Sequence, residues 1–61
     1  METIITISLD DPETRFSVYR VDCNACGAVD KGYANQVVNR ANAHNRAMHN
    51  GQGRIVKPKE L

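Results

Sequence analysis

The sequence contains only two cysteines and two histidines, and all four fall in one ordered set, Cys23-x2-Cys26-x17-His44-x4-His49. In a chain of 61 residues, nothing else constrains the fold as strongly. A polypeptide this short makes one domain and buries only about 60% of the surface it exposes when unfolded. Its aromatic residues are Phe16, Tyr19 and Tyr33, and its other large apolar side chains concentrate in Ile4, Ile5, Ile7, Leu9, Val18, Val21, Val37, Val38 and Met48. Chains below about 70–80 residues usually need a disulfide, a metal or a partner subunit to stay folded. No run approaches the roughly 20 apolar residues of a membrane span, and METIITISLDD lacks the basic start and apolar stretch of a secretory signal. The sequence therefore predicts an intracellular, cytoplasmic protein with no membrane association. In a reducing compartment a cysteine pair is more often a metal clip than a disulfide.

The local patterns predict an α+β domain. TIITISLD alternates, with Ile5, Ile7 and Leu9 on one face and Thr6 and Ser8 on the other, as in a half-buried strand. Asp11 and Pro12 suit the first two positions of a β-turn, and TRFSVYRV reads as a second strand. An N-terminal antiparallel hairpin over residues 1–22 follows. Phe16 and Val18 share one face of the second strand and Tyr19 and Val21 the other, and the pattern leaves either face free to be the buried one. From Gly32 to Asn50 the period changes: Tyr33, Val37, Ala41, His44 and Met48 form one helical stripe. Asn50-Gly51 is a helix stop, and Asp30 suits an N-cap. Residues 51–61 read as a basic tail in which Arg54 to Lys57 can pair with a sheet edge.

The two-residue and four-residue gaps within the Cys and His pairs suit a tetrahedral site with two thiolates and two imidazoles. On a helix, five steps from His44 to His49 turn the chain by about 140°, which separates the rings unless the last turn loosens, as the stop signal at His49-Asn50-Gly51 suggests. The 17-residue interval also closes geometrically. If about six residues leave the site extended, at about 3.3 Å each, then about twelve can return as helix at about 1.5 Å each. Other readings exist for each residue singly. Cys23 and Cys26 could be a redox pair, although the βαβ setting of thioredoxin-like dithiols is absent. His44 could be a core histidine, and His49 a cation offsetting the helix dipole.

Residues Cys23 to His49 resemble a C2H2-type zinc finger, in which a β-hairpin carries two cysteines and the following helix two histidines. The inner interval is longer than the family's spacing of about 12, which implies a longer helix and a different core. The resemblance implies a small zinc-stabilised ββα zinc-finger-like domain with an N-terminal hairpin and one long C-terminal helix. It also implies that Cys23, Cys26, His44 and His49 hold one structural Zn2+. Four protein ligands would leave no coordination position for water. With no nucleophile–base pair and no phosphate loop in the sequence, the chain is predicted not to be an enzyme.

Charge is divided along the chain. Residues 1–30 carry six acids and two bases, whereas residues 31–59 carry six bases and no acid. Asn35, Gln36, Asn39, Asn42, Arg46 and Asn50 lie opposite the apolar stripe, with Arg40 at its margin. Asn and Gln contact adenine through two hydrogen bonds, and Arg contacts guanine likewise. Arg40, Arg46, Lys31, Arg54, Lys57 and Lys59 can neutralise phosphates. Nucleic acid, most simply DNA, is the expected partner. The alternative is a zinc-stabilised adaptor or inhibitor docking on a protein, and dimerisation through an unpaired edge of the Ile4/Ile5/Ile7 strand is a further expectation.

Overall fold

A computed structural model of the chain describes residues 2–11 and 18–61. Its elements are β1 (Ile4–Asp11), β2 (Val18–Cys23), β3 (Gly27–Tyr33), α1 (Ala34–His49) and β4 (Arg54–Val56). The strands form one sheet in the order β3-β2-β1-β4, antiparallel except for the β1–β4 pair. The small α+β architecture with an N-terminal antiparallel hairpin and one long helix is as the sequence predicts. The ββα unit proper is β2, β3 and α1, with β1 and β4 extending its sheet. The turn predicted at Pro12, and Phe16 in the second strand, lie outside the described residues.

Period-two patterning decides which face of the sheet is covered. Ile5, Ile7, Tyr19, Val21 and Cys23 are buried, and Val37 and Ala41 of α1 close over them. The register places Ile5 beside Cys23, Ile7 beside Val21 and Leu9 beside Tyr19, so these residues share one face. Val29, Val38, Ile55 and Leu61 pack around this cluster. Cys23 belongs both to this core and to the predicted ligand set, so the metal end of the molecule continues the core.

Three local expectations need correction. First, the segment leaving Cys26 is a full strand, β3, paired with β2. GAVDKGY has two glycines and no alternation, because its ladder bonds hold it extended while most of its side chains stay exposed. Second, Asp30 is not the helix N-cap: Tyr33 holds that position without a side-chain cap bond. A register shift in the β2–β3 pair sets Asp30 opposite Val21, on the helix side, where its carboxylate accepts from Arg40 Nη1 at 2.8 Å. Third, β1 is not an edge over Ile4–Thr6, since Arg54–Val56 pairs there in parallel. The premise of dimerisation through that strand is therefore removed over these residues.

The helical stripe also drifts. Its buried residues are Val37, Ala41 and Asn45, while Tyr33 and Met48, at the ends of the predicted stripe, are exposed. Lengths balance as the spacing requires. Seven residues of β3 advance about 23 Å, and sixteen residues of α1 return about 24 Å. The start of β1, the end of β2, the start of β3, the end of α1 and the start of β4 consequently gather at one end of the domain.

Candidate metal centre

The β2–β3 turn makes the cysteine knuckle. Cys23 ends β2 and pairs with Gly27, which starts β3 at φ 85°, a conformation that glycine adopts without strain. Asn24, Ala25 and Cys26 form the turn between them. Burial pushes the Cys23 thiol up, but the backbone N–H groups of Ala25 and Cys26, together with the Cys26 side chain, outweigh it and lower the net value. Cys26 shifts upward, through desolvation and then through its contact with Cys23 and the charge there. Aligned amides of this kind stabilise a thiolate, the form that binds metal.

The helix brings its two imidazoles to the same point. His49 Nε2 lies 3.5 Å from Cys23 Sγ, 3.7 Å from Cys26 Sγ and 3.2 Å from His44 Nε2. One ligand atom from each of the four residues lies within 4.8 Å of all the others. A single imidazole nitrogen carries at most one proton, so hydrogen bonding cannot account for three such contacts. A shared cation can. With metal–sulfur bonds of about 2.3 Å and metal–nitrogen bonds of about 2.05 Å at tetrahedral angles, the expected separations are about 3.5 Å for S···N and about 3.3 Å for N···N. The observed distances fit, and Cys23, Cys26, His44 and His49 form a group positioned to bind a metal ion.

The predicted nucleic-acid contacts divide into engaged and unengaged residues. Arg40 is held by Asp30, and Lys31 Nζ lies 3.4 Å from the Asp10 carboxylate. Arg46, Arg54, Lys57 and Lys59 have no ion pair among the described residues. Arg54 lies opposite Ile4, and strand alternation sends its side chain to the sheet face away from the helix. Arg46 is exposed on the helix, so the two cannot serve one flat contact surface. Asn35, Asn39 and Asn42 are exposed and make no side-chain hydrogen bond among the described residues.

Two asparagines for which the sequence alone predicts no role, Asn24 and Asn45, are engaged with main chain. Asn24 Nδ2 donates to the Glu2 carbonyl at 2.8 Å and its Oδ1 accepts from the Ile4 N–H at 2.9 Å. Asn45 makes the corresponding pair of hydrogen bonds with Gly53, its Nδ2 donating to the carbonyl and its Oδ1 accepting from the N–H. Each amide pairs with main chain as another peptide unit would. The available signal for Asn45 was its place four residues after Ala41, on the line from Val37, just ahead of a Gly-x-Gly return. Among the described residues no helix is long and apolar enough to cross a membrane. The chain matches no known family model, no curated protein and no solved structure.

Proposed function

We propose that this chain is a zinc-stapled domain that binds nucleic acid through the outer face of its helix. Two thiolates and two imidazoles favour Zn2+ over the hard, oxygen-seeking Mg2+ and Ca2+. With all four positions filled by side chains, the ion holds the fold and leaves no site for an activated water. The role is structural, and the protein is not an enzyme.

One observation carries the nucleic-acid reading. Asn35, Asn39, Asn42 and Arg46 follow one another at helical spacing, exposed and without an intramolecular partner among the described residues. Asparagine is a mediocre helix former, so each one in a helix needs a reason. Asn45 has its bond to Gly53, and Asn50 has the left-handed conformation at the helix end, φ 54°. The other three have no such structural role. An acid-free line of amides ending in a guanidinium suits base edges and phosphate.

The experiment is retention of the metal-loaded chain on mixed-sequence duplex DNA across a salt series. Binding through phosphate contacts falls steeply as salt rises. Retention that is absent at low salt, or insensitive to salt, rejects this reading and leaves protein docking as the role of the face.

A further inference from the structure

The helix does not end freely at His49. Asn45 Nδ2 donates to the Gly53 carbonyl at 3.0 Å, and Asn45 Oδ1 accepts from the Gly53 N–H at 2.8 Å. The main-chain carbonyl of Asn45 accepts from the Gly51 N–H at 3.0 Å, and the Gln52 N–H donates to the His49 carbonyl at the same distance. Asn45 thus holds the return at Gly51 by its backbone and at Gly53 by its side chain, and the His49 carbonyl holds it at Gln52. Asn45 is only 8% exposed, and a β-carbon at Gly53 would stand 2.6 Å from its Oδ1. There is no slack in the fit.

Gly53 leads straight into the sheet. The Arg54 N–H donates to the Thr3 carbonyl at 2.8 Å, and Ile4 pairs with Arg54. The cysteine knuckle is fastened to the same stretch, since Asn24 bonds Glu2 and Ile4 by its side chain and Ile4 again by its own N–H. Both halves of the ligand set are therefore anchored on residues 2–4, the cysteines through Asn24 and the histidine end of the helix through Asn45.

We infer that Asn45 is a positioning residue of the metal centre: through Gly53 it ties the last helical turn, and His49 with it, to the strand that carries the knuckle. The inference rests on the metal-binding reading of the four ligands. His49 is the ligand that needs this support. It is the last residue of the helix, where turns fray most readily, and its Nε2 contacts all three other ligand atoms. With the clasp broken, the return after the helix loosens and His49 leaves first, so a four-ligand site becomes a three-ligand site.

Titration of the full chain with Co2+, followed by competition with Zn2+, tests this, because the Co2+ absorption spectrum reports coordination number and thiolate ligation. The wild-type chain is expected to give the spectrum of a four-coordinate thiolate–imidazole site. Asn45→Ala and Gly53→Ala break the clasp from opposite sides. Both are expected to weaken Co2+ binding about ten- to a hundredfold, the usual effect of losing a group that orients a ligand. At saturation both should give a spectrum displaced toward that of His49→Ala, while Glu60→Ala, on the exposed C-terminal segment, keeps wild-type values. Unchanged affinity in both clasp variants overturns the inference, as does weaker binding with a saturated spectrum identical to wild type. A wild-type chain that takes up no Co2+ is a different result, and removes the metal reading as well.

Discussion

His44 Nε2 and His49 Nε2 stand 3.2 Å apart, although five helical steps separate their Cα atoms by about 140° of rotation and about 7.5 Å of rise. The rings meet edge to face, with centroids 5.0 Å apart and planes at 70°. They reach this point from the two flanks of the buried line Val37, Ala41 and Asn45, with α1 intact through His49, so the loosened last turn that the sequence suggests does not occur. Apolar packing does not hold this end of the helix, for Met48 is 64% exposed. The contacts of His49 with Cys23, Cys26 and His44 and the Asn45 clasp hold it instead.

Metal removal should therefore unfold the domain rather than loosen one turn. The seven buried apolar residues among those described make a small core, and structural zinc contributes on the order of 10 kcal/mol or more in finger peptides near neutral pH. Exhaustive chelation is expected to abolish helical circular dichroism, with recovery on adding Zn2+. A chain that keeps its ellipticity and thermal transition after chelation refutes the staple.

Acid should weaken the sheet–helix contact through Asp30. The Arg40 guanidinium first, and then the Lys31 N–H, hold its carboxyl below the ordinary carboxylate value. A depressed folded-state pKa contributes stability that is fully present above the unfolded value of about 3.9 and is lost as pH falls through the lower, folded value. Asp30→Asn should remove that part of the acid dependence. Comparison of the two pH–melting profiles, each with metal in excess, checks it.

Ile5 lies opposite both Cys23 and Ile55 and is fully buried. Ile5→Val should cost about 0.5–1.5 kcal/mol and Ile5→Ala about 2–5 kcal/mol. In a domain this small, the larger loss should show clearly even with Zn2+ bound. Urea unfolding of the Zn2+-loaded wild type and of both variants measures the two costs.

Gly27 has φ 85° and open space where a β-carbon would stand. The cost of Gly27→Ala is therefore conformational, about 1–2 kcal/mol. Because the strain falls on the residue after Cys26, it should appear as weaker Zn2+ binding in a competition assay.

Among the cations, Arg46→Ala should weaken duplex binding across all sequences and reduce the salt slope by about 1. Arg40→Ala should weaken it less, since Asp30 already holds that guanidinium. Equal losses in a salt-series retention assay would contradict this division.

Much of this arrangement was legible before folding because it depends on local spacing. Alternation in Ile5, Ile7 and Leu9 marks β1, and helical spacing from Val37 onward marks α1. Asn50-Gly51 marks the helix end, where Asn50 is indeed left-handed. The 17-residue interval requires equal outward and return lengths, and so brings His44 and His49 back to the knuckle. The strand character of GAVDKGY was hidden because ladder bonds, not a buried face, hold it extended. Asp30 looked like a cap because its use depends on a register shift against Val21 that no local pattern encodes.

By itself, then, the sequence determined the candidate ligand set, the hairpin strands β1 and β2, the helix and its exposed amide line, since these follow from periodicity and side-chain chemistry along a single chain. Only the tertiary structure decided that Tyr19 and Val21 face inward, that β4 lies parallel to β1, and that Asn24 and Asn45 bind the main chain at the metal end. Those relationships are hydrogen bonds and contacts between segments joined by a return loop or far apart in sequence, as Ile4 and Asn24 or Ile4 and Arg54 are, and they exist only once the sheet has fixed its register.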